Sequence, residues 1–299
     1  MLKYSLRQLE YFSVAGETGS VTRASEILGV SQPTVSAAIV HLEAIFEVQL
    51  FVRHHAKGLS LTGSGRQILA QVNTVLKQSE DLQNTVNDMA KTTRGTINVA
   101  WFVTLAPVMA PLLIREFQKD YERVRVNCFE ADHDAIFDGL HTAKFDMAIT
   151  YRLDIPDTLA FEPLAHYVPY VIVHKNHSLA ALQSVSLKML EKEPLVLLDM
   201  PHSRQYFQSL FDEAKLSPNI QYHSSSPHLV RSMVANEFGY SVMNIPIGSD
   251  QSLDGKEFVK LELRDKLTPI VLGILKNRSY APTRAGKLFY DYCKQRVGL

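Results

Sequence analysis

The chain has few cysteines and no excess of charge of either sign. Only Cys128 and Cys293 occur among its 299 residues, and their wide spacing favours two separate buried thiols over a disulfide. Lysine and arginine together number 31, and aspartate and glutamate also number 31. This balance excludes a uniformly basic nucleic-acid binder, but it permits a small DNA-binding module on a larger neutral body.

Long apolar runs are absent as well. No segment approaches the ~18 uninterrupted apolar residues of a membrane helix, and the first residues, MLKYSLRQLEYF, carry scattered charges where a secretory signal has an apolar core. We therefore expect a cytoplasmic protein without a membrane partner.

Motifs of catalysis are missing too. The chain has no G-x-S-x-G elbow, no phosphate-cradling glycine loop and no H-E-x-x-H. His174 and His177 have metal-like spacing, but a third ligand is not evident. We expect no catalytic residues, no metal and no cofactor other than a small organic effector.

The sequence divides into three zones, which predict an α+β multi-domain protein. Residues 1–62 have a helical pattern with short loops. Residues 63–94 form one long helical pattern without proline, and without glycine after Gly65. In residues 95–299, β-branched runs such as GTINVA, FDMAI and PLVLL alternate with helical segments, which is typical of an α/β domain.

The first zone has the pattern of a helix-turn-helix. Gly29 suits a left-handed turn, Ser31 the N-cap of the following helix, and Pro33 its first turn, where a missing N–H is harmless. That helix then has an apolar stripe that consists of Val35, Ile39, Leu42 and Phe46. We interpret residues 22–41, approximately, as a helix-turn-helix motif; a generic small helical bundle is the alternative.

The helix that would enter the DNA groove, within VSQPTVSAAIVHLE, has no lysine or arginine. Base-edge contacts read sequence, whereas phosphate contacts position the protein. Small polar and apolar groups can read base edges, and the candidates are Ser31, Gln32, Pro33, Thr34 and Ser36. The candidates for phosphate contacts lie around this helix and are Arg7, Arg23, Arg53, Lys57 and Arg66.

The low net charge of the N-terminal zone predicts that the protein binds DNA as an oligomer. Residues 1–70 contain six lysines and arginines and five acids, a net charge of +1, so affinity must come from several copies bound together. The long helix has a heptad seam suited to a dimer, which consists of Ile68, Val72, Val75, Leu82, Val86 and Met89. An ordinary amphipathic helix that packs on its own domain is the alternative.

These motifs resemble the LysR-type transcriptional regulators from end to end. The elements LRQLEYF, VSQPTVS, LFVR and LSLTGSG match that family's N-terminal winged helix-turn-helix, and HKNHSLA and VRSMVANEFGYSVMNIP match its effector region. Ser25 departs from the family's usual alanine, and Ala37 and Val40 stand where many relatives carry a basic residue. The resemblance implies a dimer through the linker helix, a homotetramer through subdomain contacts, and an inverted-repeat site on double-stranded DNA. RNA polymerase is a further candidate partner.

The resemblance also implies an effector domain with the two-subdomain fold of type 2 periplasmic binding proteins. Subdomain I would comprise residues 95–165 and 267–299, and subdomain II residues 166–266. Ligands in such sheets lie beyond the carboxyl ends of strands, so the candidate pocket residues are Trp101, Phe102, Thr104, Glu130, His133, Thr150, His202, Ser203, Arg204 and Ser226.

A small carboxylate would suit this cleft, with Arg204 as its partner and Thr104 and Ser203 as donors. Three alternatives remain: Trp101 as a core residue, Arg204 in a salt bridge with Asp199 or Glu130, and Ser226 as a helix cap. As a whole, the chain could instead be a binding protein or enzyme with an incidental helical N-terminus, or a constitutive DNA-bending protein.

Overall fold

The structure is a computed structural model, and the residues it describes are 3–54, 58–88, 94–245 and 247–297. The N-terminal domain has three helices and a two-stranded antiparallel wing, with these bounds: α1 (Leu6–Thr18), α2 (Val21–Leu28), α3 (Gln32–Phe46), β1 (Phe51–His54) and β2 (Gly58–Leu61). The predicted cap and turn are confirmed, since the Ser31 side chain accepts from the Thr34 N–H and Gly29 has φ 65°. One core unites α1, α2, α3 and the wing.

The linker helix, α4 (Gly63–Asp88), begins directly after the wing. A Cβ on Gly65 would collide with the carbonyl oxygen of Leu50, so this glycine permits the close approach of α4 to the wing. Residues 89–93 of the predicted linker lie outside the described residues.

Subdomain I has a five-stranded mixed sheet in the order β4-β3-β5-β13-β6. Strand β3 pairs in parallel with β4 and β5, and β13 is antiparallel to β5 and β6. Its elements are β3 (Gly95–Phe102), α5 (Ala106–Asp120), β4 (Val124–Ala131), α6 (His133–His141), β5 (Met147–Tyr151), β6 (Leu159–Tyr167), β13 (Ile270–Asn277) and α10 (Arg284–Val297).

Subdomain II has a four-stranded sheet, β11-β7-β12-β8, and a parallel pair, β10-β9. A bridge between Leu195 and Tyr240 links the two. Its elements are β7 (Tyr170–His174), β8 (Ser184–Val185), α7 (Leu187–Leu190), β9 (Leu195–Leu198), α8 (Ser203–Glu213), β10 (Ile220–Ser224), α9 (Pro227–Ala235), β11 (Ser241–Met243) and β12 (Phe258–Leu263).

The chain crosses between the subdomains twice. The first crossing lies at residues 168–169, because β6 continues to Tyr167, two residues beyond the expected boundary. The second lies at residues 264–269, between β12 and β13. Within the described ranges, no helix is long and apolar enough to cross a membrane.

Candidate DNA-binding surface and effector cleft

Helix α3 presents its polar start to solvent and buries its apolar stripe. Val35, Ile39 and Leu42 are buried in the N-terminal core. The candidate base-contacting residues lie on the opposite side and are Ser31, Gln32, Pro33, Thr34 and Ser36. Ser36 is half-buried, and the other four are exposed. The Ser31 hydroxyl is within 2.8 Å of the Thr34 hydroxyl, so these two side chains support the cap as well as the surface.

The candidate phosphate-contacting arginines are all exposed: Arg7, Arg23, Arg53 and Arg66. Arg66 donates from Nη1 to the Leu61 carbonyl oxygen at 3.2 Å, which holds its guanidinium beside the end of the wing. Lys57, the fifth candidate, lies outside the described residues.

Glu43 is a positioning residue that the sequence analysis missed. Its Oε1 accepts from the backbone N–H groups of Leu50 at 2.8 Å and Phe51 at 3.2 Å. A side chain of α3 thereby holds the first strand of the wing, on which Arg53 lies. One carboxylate therefore joins the helix that carries the candidate base-contacting residues to the strand that carries Arg53.

Ser25, which departs from the family's usual alanine, is buried with its hydroxyl satisfied. The Oγ donates to the Thr22 carbonyl oxygen at 2.7 Å, and the side chain is 6% exposed. A buried hydroxyl with a local acceptor adds no unsatisfied polar group, so the helix pair tolerates the change.

The predicted seam of α4 has two parts. Val72 is buried in the N-terminal core and Ile68 packs against that core, so this part contacts its own domain. Val75 and Leu82 are 42% and 66% exposed, which leaves the second part uncovered in a single chain. Met89 lies outside the described residues, and for Val86 the structure describes the helix only.

Between the subdomains lies an inner cavity lined by several predicted pocket residues. Phe102, Thr104 and Ser203 contribute to its wall, as does Tyr151. Its volume is about 20 Å³, which is room for about one water molecule. An organic effector would require the two subdomains to separate or the wall to rearrange.

Arg231, on α9, is the cation of this cavity, and the sequence analysis missed it. It is 8% exposed, and its Nε has no hydrogen-bond partner among the described residues. Burial lowers the pKa of Arg231, and the neighbouring groups that oppose this shift are the phenols of Tyr170 and Tyr151 rather than a carboxylate. Thr104 Oγ1 and Tyr151 Oη also line the cavity, and neither has a partner of normal hydrogen-bond geometry among the described residues. Burial raises the pKa of Tyr151, and the nearby Thr104 hydroxyl opposes this shift.

Arg204, the predicted positive charge of the pocket, lies in the salt bridge that the sequence analysis gave as the alternative. Its guanidinium forms a bidentate pair with Asp199, and its side chain is 60% exposed. It does not line the inner cavity, because its position in the first turn of α8 directs the side chain to solvent. Trp101 is likewise a core residue: it is fully buried in the main hydrophobic cluster and is absent from the cavity wall.

The outer part of the cleft holds a larger pocket than the inner cavity. A pocket of about 510 Å³ is lined by Glu130 and Asp132 from subdomain I and by Ser225 and Ser226 from subdomain II. The Ser226 hydroxyl accepts from the Leu229 N–H as the cap of α9, so the cap role is confirmed while the residue also faces this pocket.

His133, Thr150 and His202 form a cluster beside the cavity. His133 Nε2 lies 3.1 Å from the Thr150 hydroxyl and 3.4 Å from the Tyr151 carbonyl oxygen. Burial lowers the pKa of His133 to about 4, so the ring is neutral. Its centroid lies 5.6 Å from that of His202.

His202 connects the two subdomains. Its Nδ1 lies 3.0 Å from Asp154 and its Nε2 lies 3.2 Å from Asp134, and both carboxylates belong to subdomain I. Burial lowers the pKa of His202, but hydrogen bonds and charge from Asp154 and Asp134 outweigh it, so the net shift is upward. The residue has φ 63°, an uncommon conformation for a side chain other than glycine.

The histidines with metal-like spacing point to different neighbours. His174 Nδ1 lies 3.5 Å from Glu237, and His177 Nε2 lies 3.8 Å from Glu193. Within the described part of the chain, no group of three or more potential ligands could hold a metal ion.

A helix-turn-helix domain, a linker helix and a two-lobed ligand-binding domain on one chain define a DNA-binding transcriptional regulator with an effector-binding domain. Residues 6–66 match the bacterial regulatory helix-turn-helix protein, lysR family, and residues 90–298 match the LysR substrate binding domain. The chain belongs to the LysR family of transcriptional regulators, which are not enzymes.

Several known proteins share this organisation. HinK, a LysR family transcriptional regulator from Pseudomonas aeruginosa, is 34% identical, with 99% of each chain covered and a TM-score of 0.67. The HTH-type transcriptional regulator YvbU of Bacillus subtilis is 27% identical, with 98% of this chain and 99% of its own covered. The hydrogen peroxide-inducible genes activator of Haemophilus influenzae is 26% identical, with 80% and 79% covered.

Proposed function

We propose that this regulator recognises an inverted-repeat promoter site in the cytoplasm and responds to a small carboxylate bound between its subdomains. The observation that carries the effector class is Arg231, a buried guanidinium without a carboxylate partner among the described residues, in one cavity with the hydroxyls of Thr104 and Tyr151. A buried unpaired charge is strongly unfavourable. A carboxylate can accept from a guanidinium and hydroxyls at once.

A change in how far the cleft is open is the proposed response to the effector. The two crossings at residues 168–169 and 264–269 can absorb a rotation, and His202 bridges to Asp134 and Asp154 on the opposite subdomain. A ligand shifts such an equilibrium only by its different affinity for the two arrangements. Since the inner cavity holds about one water molecule, a bound effector favours a more open arrangement than this one.

The DNA-binding form is proposed to be an oligomer. Exposed Val75 and Leu82 support a dimer through the second part of the α4 seam. A second contact, which would complete a tetramer, is proposed at α5. This helix exposes Val108 and Leu112 and lies beside β4, an edge strand of the sheet. A change in cleft closure would then alter the spacing of the DNA-binding domains and the DNA bend, with RNA polymerase as a candidate further partner.

Cysteine-based peroxide sensing is the competing function that one relative's name raises. Sensor cysteines are accessible thiols with a low pKa. Cys293 is buried as predicted, but Cys128 is exposed, so the prediction of two buried thiols is wrong for Cys128. Partial desolvation and the charge of Glu130 nevertheless raise the pKa of the Cys128 thiol, and burial raises that of Cys293 to about 12. These directions favour a bound ligand over thiol chemistry.

A thermal-shift screen of metabolites tests the effector class, because a ligand of the native state raises stability by mass action. We expect aliphatic carboxylates to raise the melting temperature, their amides to have no effect, and Arg231→Gln to abolish the response. Arg204→Gln, which removes an exposed guanidinium from the preceding helix, α8, is the matched control and should respond normally. A carboxylate response that survives Arg231→Gln but not Arg204→Gln would contradict the assignment.

The effect on DNA is tested with the same ligand. A Thr104→Val, Arg231→Gln double variant should bind its promoter but show no change of footprint or bend on ligand addition. Loss of DNA binding without ligand would instead indicate a structural role for the pair, and a normal response would mean that the effector binds elsewhere.

A further inference from the structure

A second cavity lies away from the cleft, between the linker helix and subdomain I. Its volume is about 380 Å³, within the range of small-molecule pockets of roughly 300–1,000 Å³. Helix α4 contributes Thr74, Lys77 and Gln78, and the remaining wall comes from the start of β5, the end of β13, and the segment that leads into and along α10. We call this cavity the linker pocket.

The walls of the linker pocket are largely aromatic and apolar. Phe145 and Met147 are 5% and 2% exposed and form its inner side. Tyr280, Pro282 and Tyr290 line the side toward α10. Flat apolar surfaces of this kind favour a ring, because aromatic pairs gain stabilisation beyond the area that they bury.

The acid at the inner side of the pocket is already neutralised. Asp146 pairs with Lys77 of α4 at 2.8 Å, and its second oxygen accepts from the Asn98 N–H at 2.7 Å. This pair ties α4 to subdomain I, as does the bond from Asn73 to the Thr142 carbonyl oxygen at 2.6 Å. Asp146 is therefore a structural partner rather than a site for a cation.

Two further lysines leave positive charge in the pocket. Lys276 and Lys287 both line it, and neither forms an ion pair with a residue in the described ranges. The Lys276 ammonium lies 4.5 Å from the centroid of the Tyr290 ring. Glu162, whose pKa Lys276 helps to lower, is bonded to Lys294 at 2.6 Å. The acid that remains in the lining is Asp291, so these two lysines outnumber it.

We propose that the linker pocket is a second ligand site, which binds a small aromatic carboxylate with its ring against Phe145, Met147 and the two tyrosines and its carboxylate at Lys276 and Lys287. Such a ligand contacts α4 and subdomain I simultaneously. It therefore stabilises the contact between the linker helix and the effector domain independently of the cleft. The regulator would then respond to a second effector at this site.

A fluorescence titration of the full-length protein with 2-naphthoate tests this site, with 2-naphthamide as the uncharged comparison. We expect saturable binding of the naphthoate, and binding of the amide weaker by about tenfold or more, since a charged hydrogen bond is lost. A Lys276→Gln, Lys287→Gln variant should show the same loss for naphthoate. Lys188→Gln is the matched control, because that lysine is exposed and paired with Glu191 in subdomain II.

The cleft variant Arg231→Gln separates the two sites. Binding of naphthoate that survives Arg231→Gln and weakens in the double lysine variant supports the linker pocket. Loss of binding in Arg231→Gln with no effect of the lysine changes would place the ligand in the cleft and overturn the proposal. Equal binding of naphthoate and naphthamide, or no saturable binding at millimolar naphthoate, would overturn it as well.

Discussion

Replacement of Glu43 by alanine should loosen the wing from α3. The carboxylate accepts from two N–H groups, those of Leu50 and Phe51, whose residues are 0% and 2% exposed. A buried donor that loses its acceptor costs roughly 1–3 kcal/mol, so Glu43→Ala, which leaves two such donors, should destabilise the N-terminal domain by about 2–6 kcal/mol. Glu43→Gln keeps an acceptor oxygen without the charge and should cost about 1 kcal/mol.

Hydrogen exchange of the backbone amides at residues 50 and 51 is the direct assay. Exchange through local opening should accelerate by roughly 30-fold or more in Glu43→Ala, since each 1.4 kcal/mol is about tenfold. Trp101, the one tryptophan of the chain, lies in the effector domain and gives an internal control, because the denaturation midpoint followed by its emission should be the same in Glu43→Ala and in the unaltered protein. Glu10→Ala removes an exposed acid from α1 and should be nearly neutral. If Glu43→Ala were as mild as Glu10→Ala, the anchoring role would be refuted.

Two further changes test the oligomer and the cleft. Val75→Glu with Leu82→Glu should abolish dimerisation and DNA binding while the effector domain stays folded, because both residues are exposed in the single chain and charges in a closed seam are unfavourable; an unchanged sedimentation profile would reject the seam. The raised pKa of His202 means that its link to Asp134 and Asp154 is fully present below its ordinary pKa of about 6.5 and is lost as pH rises through the raised value. The melting temperature of His202→Gln should therefore lie below that of the unaltered protein at about pH 6, and the difference should be much smaller at about pH 9. An equal difference at both pH values would contradict a titrating link.

Local patterns predicted the N-terminal domain well because they depend on neighbouring residues. The glycine turn at Gly29, the cap at Ser31 and the buried stripe from Val35 to Leu42 are all present. Glu43 was missed since its partners lie seven and eight residues away, in a wing whose contact with α3 is tertiary.

The cleft was harder to predict because strand ends indicate an edge of a sheet and not the direction of a side chain. Arg204 follows a strand end, yet it turns to solvent and pairs with Asp199. Arg231 lies inside a helix, and the rule that ligands lie beyond strand ends does not apply to residues there. A signal was present nonetheless: Pro227, Val230, Arg231 and Val234 follow the spacing of a buried helical face, and an arginine within such a stripe indicates a buried charge with a function.

Helix α3 is proposed to read DNA sequence through uncharged side chains, and one comparison of affinities tests this role directly. Binding of the unaltered protein, Gln32→Ala, Ser36→Ala and Arg53→Ala is measured on the chain's own promoter site and on a random duplex over a range of salt. We predict that Gln32→Ala and Ser36→Ala weaken promoter binding far more than random binding, by about 1–3 kcal/mol for a bidentate base contact. Arg53→Ala should weaken both alike and flatten the salt dependence. Equal losses on both duplexes for Gln32→Ala would contradict the claim.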